Sequence, residues 1–123
     1  MRLAIGLATA IVLLAWGSAV GAANSYDGSY VGTSANFTGT TSSKGKAESC
    51  VQFKAPYPLT IANGHAQTKW GDGAMQGDVG PDGKLVMHSS LAGRFDGQID
   101  ASGALKGNFE GYCVYALTWQ RKG

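Results

Sequence analysis

Two histidines, two internal methionines, six scattered aspartates and two cysteines are the residues of this chain with chemistry to offer. His65, His88, Met75 and Met87 are borderline or soft ligands, the kind that would hold copper. Met87 and His88 are adjacent, however, and adjacent side chains of a strand leave by opposite faces. The methionines fall in the apolar set and the histidines on polar faces. They read as core and as solvated imidazoles, and no metal or other cofactor is expected. Asp96 and Asp100 share a polar face with Arg94, as a carboxylate dyad would, but surface charge is the simpler reading. No Gly-x-Ser-x-Gly elbow ties a nucleophile to a base. No glycine-rich turn opens a helix whose N-terminus could hold a phosphate. No catalytic residue is therefore expected; a small enzyme or metal-binding protein using His65 and His88 is the alternative.

Cys50 and Cys113 are the only cysteines. They follow an N-terminal segment that reads as a secretory signal: Arg2, an apolar run from Leu3 to Trp16, then small residues from Gly17 to Ala23. Cleavage is expected after Ala22 or Ala23, leaving residues 24–123 as one domain of about 100 residues. The apolar run is shorter than the roughly 20 residues a membrane span needs, so no stable insertion is expected after cleavage. An even cysteine count in an oxidising compartment predicts one Cys50–Cys113 disulfide. Across so long a loop it contributes about 4 kcal/mol by the chain-entropy model. The compartment is the periplasm or the extracellular space. Ten Lys and Arg stand against eight Asp and Glu, a net charge of +2 with no basic run, so nucleic acid is not an expected partner.

The elements that must position these residues are strands. Gly77-Asp78-Val79-Gly80-Pro81-Asp82-Gly83-Lys84-Leu85 is echoed by Gly97-Gln98-Ile99-Asp100-Ala101-Ser102-Gly103-Ala104-Leu105. Each copy is a strand end, a turn closed by a left-handed glycine and a strand start. Asn63-Gly64, between Leu59–Ala62 and His65–Trp70, is the strongest short hairpin signal in the chain. Further strands are expected over Tyr26–Phe37, Glu48–Lys54, Ala74–Val79, Lys84–Ser89, Arg94–Asp100, Ala104–Phe109 and Tyr112–Gln120, with Thr38–Lys46 an exposed loop. Alternation puts Met75, Val79, Leu85, Met87, Phe95, Ile99, Leu105 and Phe109 on the inner face and charged residues opposite. The expected fold is all-β: an up-and-down antiparallel meander of about eight or nine strands that closes into a barrel and so removes its edges. A two-sheet sandwich is the runner-up. The strands are too short, and their outer face too charged, for an outer-membrane barrel.

An opening Tyr26-Asp27-Gly28-Ser29-Tyr30-Val31-Gly32, repeated Gly-x-(Val/Ile)-x-x-x-Gly hairpins and Cys113 in the last strand resemble small, signal-peptided all-β proteins secreted by bacteria. That resemblance implies a periplasmic or secreted location and no particular activity. The meander also resembles avidin-like and lipocalin-like barrels, but the Trp-rich lining of the first and the Gly-x-Trp opening of the second are missing from this sequence.

What remains is binding. A small barrel has a mouth, and aromatic residues beside turns are the candidates to line it. Here they are Tyr57 between Pro56 and Pro58, Trp70 before Gly71-Asp72-Gly73, and Tyr112. Their structural alternative is to plug the barrel end. The expected function is that of an exported, non-catalytic binding or interaction protein. Its partner would be a small molecule or a protein, such as a hydrolase inhibited by the Thr38–Lys46 loop.

Overall fold

Asn63 and Gly64 both adopt positive φ, 53° and 77°. This is the type I′ turn whose twist matches that of the strands it joins. The two copies of the repeat close their turns identically. Gly83 donates its N–H to the Gly80 carbonyl at 3.0 Å and Gly80 donates to Lys84 at 2.8 Å; Gly103 donates to Asp100 and Asp100 to Ala104, each at 3.0 Å. Gly83 and Gly103 take φ of 87° and 86°, as the closing glycine of such a loop requires.

A computed structural model describes residues 25–41 and 50–122. Its strands are β1 (Gly28–Thr40), β2 (Leu59–Ala62), β3 (His65–Trp70), β4 (Gly73–Val79), β5 (Lys84–Ser89), β6 (Arg94–Ile99), β7 (Ala104–Glu110) and β8 (Cys113–Arg121). Each pairs antiparallel with the next, and β1 returns to pair with β8, so the eight form a closed barrel rather than a sandwich. The export segment expected over residues 1–23 lies outside the described residues, as do residues 42–46 of the expected loop.

Two local expectations are corrected. Thr38 to Thr40 continue β1 instead of opening a loop, because they pair with the start of β8, with Gly39 opposite Val114 and Thr40 opposite Cys113. A register shift between Phe37 and Gly39 accommodates the extra residue. The described part of the expected second strand, Cys50 to Lys54, is not a strand either. Its Val51 carbonyl accepts from the Tyr115 side chain instead of a strand partner, and Pro56 and Pro58 just beyond it bar a regular ladder. We call residues 50–58 the strap.

Inside, the inward residues fill the barrel. Leu59, Met75, Leu85, Met87, Phe95, Leu105 and Leu117 are fully buried, and Trp119 nearly so. The repeat explains the tight curvature. Its inward positions alternate a large residue with a glycine, as in Phe95-x-Gly97-x-Ile99 and Leu105-x-Gly107-x-Phe109. The Phe95 ring lies 2.6 Å from where a Cβ would stand on either Gly97 or Gly107, so one ring fills the space two side chains leave empty. A Cβ on Gly107 would also meet the Asp96 carbonyl, so the bare backbone lets β6 and β7 close in.

The turns after β2, β4 and β6 gather at one end. Those after β3, β5 and β7 gather at the other, together with the strap.

Candidate functional site

The strap is bound to the barrel by inward-pointing side chains of β3 and β8. Cys50 is disulfide-bonded to Cys113, 63 residues on. The Tyr115 hydroxyl donates to the Val51 carbonyl at 2.6 Å, and the Trp119 indole N–H donates to the Tyr57 carbonyl at 2.8 Å. The buried Thr68 hydroxyl donates to the Pro58 carbonyl at 2.9 Å. These contacts also satisfy polar atoms that the core would otherwise leave without partners. On the β1 side the strap rests on Gly32, where a Cβ would collide with the Pro56 carbonyl. It thereby covers the opening left because β2 is short and pairs with β1 only at Gly28, Ser29 and Tyr30.

Between the strap and the turns after β3, β5 and β7 lies a cleft of about 650 Å³. Small-molecule sites typically span roughly 300–1,000 Å³. Its floor is aromatic. Trp70 and Phe109 have ring centroids 4.2 Å apart, and Phe53 of the strap stands 5.0 Å from Tyr115 and 5.8 Å from Trp70. Trp70 and Tyr115 meet edge to face at 5.8 Å. The rim is apolar and open to solvent: Val51 is 70% exposed, Leu91 57%, and Tyr57 and Tyr112 50% each. Apart from Val31, these are all the exposed large hydrophobic residues among the described residues.

Tyr57, Trp70 and Tyr112, singled out from sequence as aromatics beside turns, all line this cleft. They reach it from the strap, the end of β3 and the turn after β7. Val51, Phe53, Leu91, Phe109 and Tyr115 complete it and were not singled out. Phe109 and Tyr115 carry the alternation of core residues, and nothing in the local pattern separates the last inward residue of a strand from one that floors an opening. Leu91 did leave a signal, as a lone large apolar residue in a turn.

The other candidates are dispersed. Met75 and Met87 are in the core, and His88 is exposed on β5. His65 stands at the opposite end of β3 from Trp70. Its Nδ1 lies 2.9 Å from an Asp78 carboxylate oxygen and its Nε2 2.9 Å from the Gln76 amide oxygen. The Asp78 bond, then the Gln76 bond, holds its pKa above the usual histidine value. Asp96 and Asp100 do not form a dyad. Asp96 takes both prongs of Arg94 at 2.9 Å, whereas Asp100 accepts from Ser102 and Ala104 within its own turn, which lowers its pKa. Among the described residues no three His, Cys, Asp or Glu side chains gather where a metal could sit. In the cleft, burial raises the Tyr115 pKa, so its hydroxyl stays a donor toward Val51.

No known protein family, curated protein or solved structure matches the chain.

Proposed function

We propose that this chain is an exported, non-catalytic binding protein of the periplasm or extracellular space that takes a small molecule into the cleft at the open end of its barrel. One observation carries the reading: four of the five exposed large apolar side chains among the described residues are collected around one concave, aromatic-floored opening. Scattered apolar residues on a protein surface need no explanation, but a rimmed concavity of this kind is the usual form of a ligand site. Among the described lining residues there is no carboxylate, imidazole, amine or free thiol. Such a lining can hold a molecule, and among the described lining residues the tyrosine hydroxyls are the only side-chain groups able to exchange a proton. The apolar leader read at residues 1–23 and the Cys50–Cys113 disulfide agree on an oxidising compartment. In this reading neither nucleic acid nor a membrane span is involved in the function.

The test is native mass spectrometry of the mature protein purified from its compartment, followed by titration with a small-molecule panel read by tryptophan emission. Trp70 floors the cleft while Trp119 is sealed in the core, so emission changes report the cleft. A retained organic adduct, or saturable binding of a panel member, is expected. A bare chain that binds nothing in the panel would overturn the proposal.

A further inference from the structure

We infer that the cleft selects an uncharged, ring-bearing apolar molecule, an inference that rests on the binding role proposed above. Charge selection follows from the lining. Its polar side-chain atoms are tyrosine hydroxyls and one indole N–H, without an ionised group among the described residues. Of these, the Tyr115 hydroxyl is already committed to Val51. A carboxylate, sulfonate or ammonium entering such a site would lose its hydration and gain no counter-charge, a penalty that excludes it. Lys69, next to Trp70 in sequence but not part of the lining, sits 5.1 Å from the Tyr57 ring centroid, held to that ring's face.

Selection for a ring follows from the floor. Trp70 and Phe53 meet at 73° and Trp70 and Tyr115 at 75°, whereas Trp70 and Phe109 are tilted by 38°. The floor therefore presents ring faces and ring edges side by side. A flat aromatic guest can stack on one wall and meet another edge to face, the two geometries that ring quadrupoles favour. A flexible alkyl chain gains neither and loses rotamer freedom on binding.

The experiment uses the oxidised mature protein, two fluorescent probes, neutral N-phenyl-1-naphthylamine and its anionic relative 8-anilino-1-naphthalenesulfonate, and two competitors, the linear alcohol decanol and 2-naphthol. The neutral probe is expected to bind at one site per chain, about tenfold or more tighter than the sulfonate, with 2-naphthol displacing it about tenfold better than decanol. Leu91→Asp places a charge on the exposed rim without touching the core, and should weaken the neutral probe about fivefold or more while the far-ultraviolet spectrum stays unchanged. Trp70→Phe, which keeps a ring, should bind better than Trp70→Ala. If the sulfonate equals or exceeds the neutral probe, or decanol matches 2-naphthol, the inferred ligand class is wrong and the binding role stands. If no probe saturates and L91D changes nothing, the cleft is not a binding site and both readings fall.

Discussion

The hydroxyl of Tyr115 and the carbonyl of Val51 are 2.6 Å apart across 64 residues of chain. Two residues before Tyr115 on the same strand, Cys113 is bonded to Cys50. Consecutive residues of the strap are thus held by alternate, inward-pointing residues of β8. One tie is covalent and the other is a hydrogen bond, and together they set one wall of the cleft.

Replacing Tyr115 with Phe should cost about 1 kcal/mol, the net worth of one such bond, with the ring contacts kept. The effect should be local as well as global. Lys54 is exposed within the strap, and trypsin should cut after it faster in the variant than in the parent. Urea unfolding and timed proteolysis measure the two; an unchanged cleavage rate would mean that the strap is held by its other contacts alone.

A Cys50→Ser, Cys113→Ser double variant should lose about 4 kcal/mol, a large share of the roughly 5–15 kcal/mol available to a small domain. The barrel ladders do not depend on the bridge, so at low temperature the far-ultraviolet spectrum should persist while ligand affinity drops. A variant with parental affinity would show that the wall is positioned without the disulfide.

Gly107→Ala should destabilise by about 1–3 kcal/mol, because the methyl would meet the Asp96 carbonyl and the Phe95 ring. Lys106→Ala, on the solvent face one residue away, should stay within about 0.5 kcal/mol of the parent. Denaturant midpoints of the pair decide the matter. Equal midpoints would mean that the glycines are not what lets β6 and β7 approach.

His65 should titrate above its ordinary value of 6.5, because Asp78 and then Gln76 hydrogen-bond its ring. A raised folded value means that the imidazolium–Asp78 contribution to stability is fully present below about pH 6.5 and is lost as pH rises through the raised value. Being exposed, the pair has only a small effect on overall stability. Proton NMR of the ring should show the raised midpoint, and Asp78→Asn should bring it down. A midpoint that ignores this substitution would place the cause elsewhere.

Asp27 accepts from the backbone N–H groups of Asn63 and Gly64 at 2.7 and 2.9 Å, tying the chain just before β1 to the first hairpin turn. Asp27→Ala should therefore cost about 1–2 kcal/mol, and Asp27→Asn, which keeps one acceptor, less. Thermal melts of both variants would show the order; equal melts would make the contact incidental.

Read alone, the sequence determined the local elements and the side each residue takes. A strand's period of two and the special φ values of Asn-Gly, Asp-Gly and Ser-Gly turns are written in adjacent residues, and the inward set from Met75 to Phe109 was legible for that reason. The disulfide was legible because only one pairing exists. Tyr57, Trp70 and Tyr112 were legible as aromatics beside turns, but not as neighbours. The tertiary structure decided the closure of β1 on β8, which depends on residues nearly a whole chain apart and on two register shifts. It also decided the path of the strap. Residues 50–54 have strand-like composition, and β2 pairs with β1 only at Gly28, Ser29 and Tyr30, yet ties from Cys113, Tyr115, Trp119 and Thr68 draw the strap across the barrel end instead of into the ladder. Only that path brings Phe53 onto Trp70 and Tyr115 and turns the end of a filled barrel into a cleft. Periodicity is a property of neighbours in sequence, whereas the cleft is made by residues whose only proximity is in space.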